Sequence, residues 1–210
     1  MKIKVSNISI ENIKNNQFQN ELPEIFQLKN VIENNSWHDH ESVFDHTIDV
    51  LETLEKSLEN INPQINSYLN QKIDDHTKRE LLFLGTLFHD IAKGDVLVES
   101  EGSTLCPGHE EIGFKQVKDI LDRFDLSAPE KDVVANIVKY HGKLHAIIDP
   151  QNIKLDEQFN KLKLGHSNIF IELILLARAD TLGAQLKYNN PAEYKFRIDH
   201  YKRVVDIYHL

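Results

Sequence analysis

The stretch LLFLGTLFHDIAKGD, residues 81–95, places a histidine and an aspartate directly after a strongly apolar segment. The large apolar side chains that precede His89 and Asp90 are Leu81, Leu82, Phe83, Leu84, Leu87 and Phe88. Burying an unpaired charge costs several kcal/mol, so buried acids and imidazoles are usually paired, protonated or bound to a metal. The stretch therefore predicts a buried helix over about residues 77–92 that ends in a polar site.

The composition predicts one soluble, cytoplasmic domain. The chain has 210 residues, of which 40% are hydrophobic, enough for one sizeable core. A formal net charge of -9 argues against non-specific binding to nucleic acid or to anionic membranes, because both need clustered Lys and Arg. No signal peptide opens the chain, its most apolar run is too short to span a bilayer, and a single cysteine fits a reducing compartment. We therefore expect no membrane partner, and the oligomeric state stays open.

Hydrophobic periodicity indicates helices almost throughout the chain. Residues 1–20 are rich in Asn and Gln and weakly patterned, so we expect a poorly specified arm followed by one helical domain over residues 21–210. Capping-box patterns that begin at Ser42 and Ser127 predict helix starts, the second helix running to about residue 141. Other helices are expected over about residues 77–92, 109–124, 168–186 and 192–209. Residues 96–109 are typical of a long loop, only residues 2–10 resemble a strand, and the predicted fold class is all-α.

Histidines and acids recur on the apolar stripes of five predicted helices. The residues concerned are His46, His89, Asp90, His109, His141 and Asp180. For any one of them, a satisfied core residue is the simpler interpretation. If these residues were unrelated, the five helices would each carry a separate free-energy cost of burying a polar group. If the residues converge on a divalent cation, they form one coordination sphere. Imidazoles and carboxylates suit Mn, Fe, Co, Ni or Zn, and the lack of thiolates in the set favours an open catalytic site over a closed structural one.

In this order the residues resemble the HD superfamily of metal-dependent phosphohydrolases. The diagnostic series is a His, a His-Asp pair followed by a Lys, and a distant Asp. Here the series is His46, His89-Asp90 with Lys93, and Asp180, and His109 and His141 match further superfamily positions. The likeness covers roughly residues 37–184 and implies a single HD-type helical domain with a central metal site.

Residues 22–51 are similar to the beginning of the HD domain that some bacterial tRNA nucleotidyltransferases carry C-terminally. That family implies metal-dependent phosphatase and 2',3'-cyclic phosphodiesterase activities. The sequence shows no Gly-Ser followed by paired Asp, the mark of the nucleotidyltransferase head, so we do not expect CCA addition. Several two-metal relatives have a His-His pair where this chain has His141-Gly142, which implies a weaker second metal site.

The resemblance assigns a role to each residue of the predicted site. One divalent ion, whether Mn, Fe, Co, Ni, Zn or Mg, is expected on His46, His89, Asp90 and Asp180. Asp90 and Lys93 are the expected catalytic residues: Asp90 would also orient the attacking water, and Lys93 would contact phosphate. The alternative for Lys93 is a cation that complements the C-terminal end of a helix.

The other histidines allow several interpretations. His109 and His141 are candidates for phosphate binding, leaving-group protonation or a second metal. His38 and His40 precede the helix of His46 and fit substrate binding in the pocket and surface exposure equally well. The remaining ones, which we expect to face solvent, are His76, His145, His166, His200 and His209.

Two functions therefore compete. The first is a hydrolase of a small phosphoester, most simply a nucleotide, with 2',3'-cyclic nucleotides as first choice and a deoxynucleotide 5'-nucleotidase as variant. The second is a metal- or nucleotide-binding sensor module without turnover. The intact His, His-Asp and Asp series and Lys93 favour the enzyme.

Overall fold

A computed structural model describes the backbone of residues 2–207 and the side chains of residues 2–204. Within this part of the chain, helices alternate with short connections and two small hairpins, so the predicted all-α class is confirmed. The α-helices are α1 Ile10–Lys14, α2 Pro23–Gln27, α3 Val43–Glu59, α4 Pro63–Leu69, α5 Lys78–Leu87, α6 Lys93–Val96, α7 His109–Leu121, α8 Ala128–Ile147, α9 Leu155–Gly165, α10 Phe170–Gly183, α11 Leu186–Asn189 and α12 Pro191–Ile207. The strands are β1 Ile32–Glu33, β2 Glu41–Ser42, β3 Val98–Ser100 and β4 Ser103–Leu105.

The long helices begin where the sequence places capping residues. The Ser42 side chain accepts the Asp45 amide at the start of α3, and Ser127 and Glu130 form a complete capping box at α8. Helix α8 ends at Ile147, later than predicted, because its apolar stripe continues through the buried side chains of Leu144 and Ile147. None of the described helices has the length and apolar character needed to cross a membrane.

The core consists of two apolar clusters, one of them around α10, which packs against α3, α8 and α12, while α5 packs between α3 and α8. Apolar side chains lie on all sides of α10, as expected of a central helix. Helices α5 and α8 pack closely at Gly85, where an added Cβ would lie 2.5 Å from Ile137 Cγ2. The absence of a side chain at Gly85 therefore permits this packing.

The chain leaves helical geometry earlier than predicted in the decisive stretch. Helix α5 ends at Leu87 instead of near residue 92, and residues 88–92 form tight turns that lead into the short α6. Adjacent side chains on a regular helix point about 100° apart. Because of the turns, His89 and Asp90 both point into the interior, where they are 0% and 2% exposed.

The segment expected to be a long loop, residues 96–109, is partly a β-hairpin. Strands β3 and β4 pair antiparallel, with Val98 opposite Leu105, and β1 pairs with β2 elsewhere. Thr104 attaches the hairpin to the loop after β1: its amide donates to Asn34 O (2.8 Å) and its hydroxyl oxygen accepts the Asn34 amide (2.7 Å). The loop prediction was wrong because backbone pairing to a distant segment leaves no trace in local periodicity.

The first residues are more ordered than their weak pattern indicated. In place of the tentative strand, residues 5–7 form a 3-10 helix, and Ile3 exchanges backbone hydrogen bonds with the segment around Phe124. Val5 and Ile13 are buried in the same apolar cluster as the helices, Ile13 completely. The division of the chain into an arm and a domain at residue 20 stays a prediction.

Candidate metal centre

The six residues of the predicted site come from five segments and meet in one place. Helix α3 contributes His46, the turns after α5 contribute His89 and Asp90, and α10 contributes Asp180. His109 is the first residue of α7, and His141 lies on the apolar stripe of α8. Except for His109, which is partly buried, all are buried. The convergence expected from the helical stripes is therefore present.

Asp90 lies between two groups of histidine nitrogens. Its Oδ2 is 3.1 Å from His89 Nε2 and 3.8 Å from His46 Nε2. Its Oδ1 is 3.3 Å from His109 Nε2 and 3.5 Å from His141 Nε2. In each group, one ligand atom from every residue lies within 4.8 Å of the others. Ligands bound at about 2.1 Å to one ion lie roughly 3–4 Å apart, so each group has the dimensions of a metal site.

Asp180 belongs to the periphery of the first group. Its Oδ1 is 3.0 Å from His46 Nε2, and its Oδ2 accepts a hydrogen bond of 2.8 Å from His145 Nε2. Within the described residues, Asp180 does not join His46, His89 and Asp90 in one set of mutually close ligand atoms. The structure thus brings together the four predicted residues, with Asp180 reaching the group through His46.

Backbone carbonyls determine which nitrogen each of three histidines offers. The Nδ1 of His89, His109 and His141 lies 2.7–2.8 Å from the carbonyl oxygen three residues earlier, that of Thr86, Cys106 and Val138 respectively. A carbonyl oxygen only accepts, so Nδ1 must donate, and Nε2 carries the lone pair in the neutral ring. All three lone pairs therefore face Asp90. This is the arrangement by which proteins orient histidine ligands toward a metal.

Several buried polar atoms of the site fit a divalent cation. His89 Nε2 and Asp90 Oδ2 are fully buried and have no hydrogen bond to any residue that the structure describes, and the one permanent compensating charge beside Asp90 Oδ2 among these residues is its ion pair with Lys93. His109 Nε2 and His141 Nε2 are only 3.2 Å apart, so two neutral rings would direct lone pairs at each other. A cation in each group would satisfy these atoms at once, since imidazole and carboxylate are the ligands of divalent transition metals.

The electrostatics of the buried site keep its two carboxylates and His46 in metal-binding form. Burial raises the pKa of Asp90, but the charges of His89 and Lys93 outweigh this effect and hold the pKa well below its usual range. The pKa of Asp180 is likewise held far down, because His145 and His46 outweigh burial. Burial lowers the pKa of His46, which favours the neutral ring that a metal requires.

Lys93 is buried beside the first group and is held by two carboxylates. Its Nζ donates a 2.6 Å hydrogen bond to Glu33 Oε2 and lies 2.8 Å from Asp90 Oδ2. These two charges outweigh the effect of burial and raise the pKa of Lys93. The ammonium is thus a permanent positive charge at the floor of the cavity, shared between Asp90 and Glu33.

A cavity of about 370 Å³ opens above these residues. His38 lines it, 4% exposed, with Nδ1 2.7 Å from Glu41 Oε2 and its ring against that of His46. His40 is instead exposed, pairs with neighbouring Asp39 and is absent from the lining. Of the two histidines that the sequence left ambiguous, the structure thus places only His38 at the cavity.

Three residues of the site escaped the sequence analysis. His145 was expected to face solvent, but it lines the cavity and hydrogen-bonds to Asp180. Its position four residues after His141 on α8 places both histidines on the same face of the helix, and this spacing is the signal that could have found it. Glu33 and Glu41 lie on short strands, where no periodicity marks an inward side chain.

The other histidines expected at the surface divide into three cases. His76 was wrongly expected to face solvent: its side chain is 13% exposed, and its Nδ1 bonds Glu130. His166 and His200 are half-buried beside Tyr140 and Phe159 respectively. His209 lies outside the described residues.

Comparisons with known proteins agree with this geometry. The family model of the HD domain matches residues 43–185. The bifunctional uridylyltransferase/uridylyl-removing enzymes of Legionella pneumophila strains Corby and Paris are each 34% identical over 112 residues, which are 50% of this chain and 11% of the enzyme. The trigger factor of Nitrobacter hamburgensis is 33% identical over 82 residues, 37% of this chain and 18% of that protein.

The match to the HD domain spans more than half of the chain and includes His46, His89, Asp90, His109, His141 and Asp180. The chain covers about a ninth of the length of the uridylyl-removing relatives. HD domains bind divalent metals and are typically metal-dependent hydrolases of phosphate esters. This chain belongs to the HD domain family.

Proposed function

We propose that this protein is a metal-dependent phosphohydrolase that acts on a small phosphoester of a nucleotide, with 2',3'-cyclic nucleotides as first choice. The observation that carries the proposal is the position of Asp90 between two groups of oriented histidine lone pairs, at the floor of an open cavity. We propose the cytoplasm as its compartment.

His46, His89, Asp90 and Asp180 would hold the tighter ion. His109 and His141, with the second oxygen of Asp90, would hold a weaker one, because Gly142 contributes no side chain. When bound, such cations activate water for attack and neutralise charge on phosphoryl oxygens. The donor set is compatible with Mn, Fe, Co, Ni or Zn, and with Mg through its carboxylates.

The protein's own residues then position the phosphate. Lys93 supplies a positive charge at the cavity floor and would contact a phosphoryl oxygen, exchanging part of its contact with Glu33 for the substrate. His109 faces the cavity and, where it does not hold a second ion, would give a proton to the leaving oxygen. Hydrolysis forms one bond from water oxygen to phosphorus and breaks the bond to the leaving oxygen.

The similar Legionella enzymes support the nucleotide phosphodiester part of the proposal. Their name includes the removal of uridylyl groups, a reaction that releases a nucleotide from its phosphate linkage. The support comes from the 34% identity, which extends over half of this chain.

A panel assay tests the function. Metal-stripped protein is refilled with Mn, Co, Ni, Mg or Zn and offered 2',3'-cyclic nucleotides, nucleoside and deoxynucleoside 5'-monophosphates, nucleoside triphosphates and generic phosphoesters. We expect turnover of a nucleotide with at least one metal and none in the metal-free protein. Turnover that is equal with and without metal, or a lack of turnover on every phosphoester, would refute the proposal.

The second candidate is a binding module that holds metal and nucleotide without turnover. It is favoured by one observation: Lys93 is already paired with Glu33 and Asp90, so it is engaged before any phosphate arrives. Saturable binding of a nucleotide to metal-loaded protein, with no hydrolysis of that nucleotide, would select this function over the enzyme.

A further inference from the structure

The lining of the cavity above the metal centre combines charged and apolar side chains. The charged and ionisable ones include Asp90, Lys93, Arg197 and the histidines. Trp37, from the loop before β2, and Leu105, from the end of β4, also line the cavity. Neither of these two side chains has a part in holding a metal or a phosphate, so their presence in the lining needs another explanation.

Trp37 is fixed in place before any ligand arrives. Its amide donates to Asn35 Oδ1 (2.8 Å), and its carbonyl oxygen accepts the Gln185 amide (2.9 Å). The Arg197 guanidinium lies 5.0 Å from the centre of its ring, and His145 meets the ring edge-on with 4.9 Å between centroids. The indole is nevertheless only half-buried. It is a rigid aromatic surface that faces the cavity at low entropic cost.

Arg197, the cation beside this ring, lines the same cavity and is held by partners within the protein. It is 3% exposed and donates to Glu193 and to the carbonyl oxygens of His145 and Ile148. Its position therefore does not depend on a ligand, and its contact with the indole helps to hold Trp37.

Leu105 is the apolar counterpart of Trp37 in the cavity lining. It is 59% exposed, unusual for a leucine at the wall of a site. The mutual hydrogen bonds of Asn34 and Thr104 tie the hairpin of Leu105 to the loop of Trp37. Exposed apolar surface inside a cavity marks a place where a ligand loses its contact with water.

We propose that Trp37 and Leu105 form a nucleobase subsite. This inference rests on the proposed function, because it takes the phosphate of the same ligand to lie at the metal centre. A flat, uncharged aromatic ring matches the indole face, and base–aromatic stacking tolerates any base. Trp37 is connected to the metal centre through His145, which bonds Asp180. The cavity volume of about 370 Å³ is in the range of small-ligand sites.

Tryptophan fluorescence tests this subsite directly, because Trp37 is the only tryptophan of the chain. Metal-free protein is titrated with uridine and adenosine 5'-monophosphate, uridine, ribose 5-phosphate and inorganic phosphate. We expect saturable changes in emission with the ligands that contain a base and none with the two that lack it. Equal changes with ribose 5-phosphate, or no change with any base, would overturn the subsite.

Two hairpin variants provide a matched pair. Leu105→Ala should weaken nucleotide binding about tenfold in the same titration, the size expected when one side of a base loses its contact. Val98→Ala removes an exposed apolar side chain directly opposite Leu105 on the same hairpin but outside the cavity lining, and it should leave the affinity unchanged. Equal effects of the two variants would refute the role of Leu105.

Kinetics separate this inference from the proposed function. Trp37→Ala should raise KM about tenfold for a nucleotide and leave KM for ribose 5-phosphate unchanged, and Trp37→Phe should restore most of the difference. If nucleotides bind with the expected fluorescence change but nothing is hydrolysed, the subsite holds and the proposed function fails. If phosphoesters are hydrolysed but Trp37→Ala affects both KM values equally, the function holds and the subsite fails.

Discussion

Two buried carboxylates of this protein, Glu130 and Asp90, have opposite surroundings. Glu130 is 0% exposed and accepts hydrogen bonds from the backbone amides of Asp75 (2.8 Å), His76 (2.6 Å) and Ser127 (2.9 Å). Asp90 is 2% exposed and accepts no backbone amide among the described residues; its neighbours are imidazole nitrogens and Lys93.

The difference distinguishes a structural acid from a site for chemistry. Glu130 caps α8 and anchors the loop before α5, so its carboxylate finds its hydrogen-bond donors within the protein. Three imidazoles around Asp90 direct their N–H groups at backbone carbonyls and their lone pairs at Asp90, so Lys93 alone does not satisfy these nitrogens and an added cation would. Burial alone does not separate the two; the identity of the partners does.

The largest effect is expected at Asp90. Asp90→Asn removes the charge shared by both groups of ligands, and we expect loss of bound metal and of nearly all turnover. Elemental analysis of the purified variant, with Asp39→Asn at the exposed neighbour of His40 as control, measures this directly. Metal content equal to that of the unaltered protein would contradict the assignment of Asp90.

Lys93→Ala is expected to separate catalysis from metal binding. A protonated ammonium cannot coordinate a cation, so metal content should stay nearly unchanged while turnover falls by one to two orders of magnitude. The comparison variant is Glu33→Gln, which removes the negative charge of the second carboxylate beside the ammonium and keeps the positive charge of Lys93. Full activity of Lys93→Ala on the best substrate would show that Lys93 has only a structural role.

Glu130→Ala should affect stability and not metal. It leaves three amides without their acceptor, each worth about 1 kcal/mol or more, so we expect a loss of about 3 kcal/mol in the free energy of unfolding. Burial raises the pKa of Glu130, but the amide hydrogen bonds outweigh it and lower the pKa to about 2. The stabilisation is therefore present above the ordinary value of 4.5 and is lost as pH falls toward 2. Urea unfolding of wild type and Glu130→Ala at pH 7 and pH 3 measures this loss of stability. A reduced metal content in the folded variant would contradict the purely structural role of Glu130.

A third buried carboxylate, Glu172, is expected to show the opposite pH dependence, with an effect that appears only as the pH is raised. Its side-chain partner is the Tyr68 hydroxyl, 3.0 Å away, and burial raises its pKa to about 7. Its contribution is therefore present below pH 4.5 and is lost as pH rises through 7. Relative to wild type, Glu172→Gln should gain up to about 3 kcal/mol between pH 4.5 and pH 8. Exposed Glu157→Gln is the control, and parallel stability curves for Glu172→Gln and wild type would refute the prediction.

The sequence predicted the parts of the site that lie on long helices. His46, His141 and Asp180 follow apolar residues at helical spacing, so their inward direction follows from that spacing alone. Their family assignment is confirmed by the HD domain match. Which of them bind metal, and the roles of Lys93 and His109, stay predictions.

The parts that were missed depend on contacts between distant segments. Glu33 reaches Lys93 across 60 positions of the chain, from a strand of two residues that has no measurable period. The hairpin over residues 98–105 is held by Asn34, and the end of α5 at Leu87 depends on turns that only the packed interior explains. Local sequence patterns do not contain this information, because these contacts form only when distant segments meet in the folded protein.

Gly85 has a consequence for the spacing of the two groups of ligand atoms. A Cβ at this position would lie 2.5 Å from Ile137 Cγ2, and β-branched Ile137 has little freedom to move aside. A methyl group at position 85 would therefore act as a wedge between α5 and α8. His89 follows α5 and belongs to one group, whereas His141 lies on α8 and belongs to the other, with 5.2 Å between the two ring centroids. The distance between the two proposed ions would thus depend on how closely these helices pack as well as on the ligands themselves.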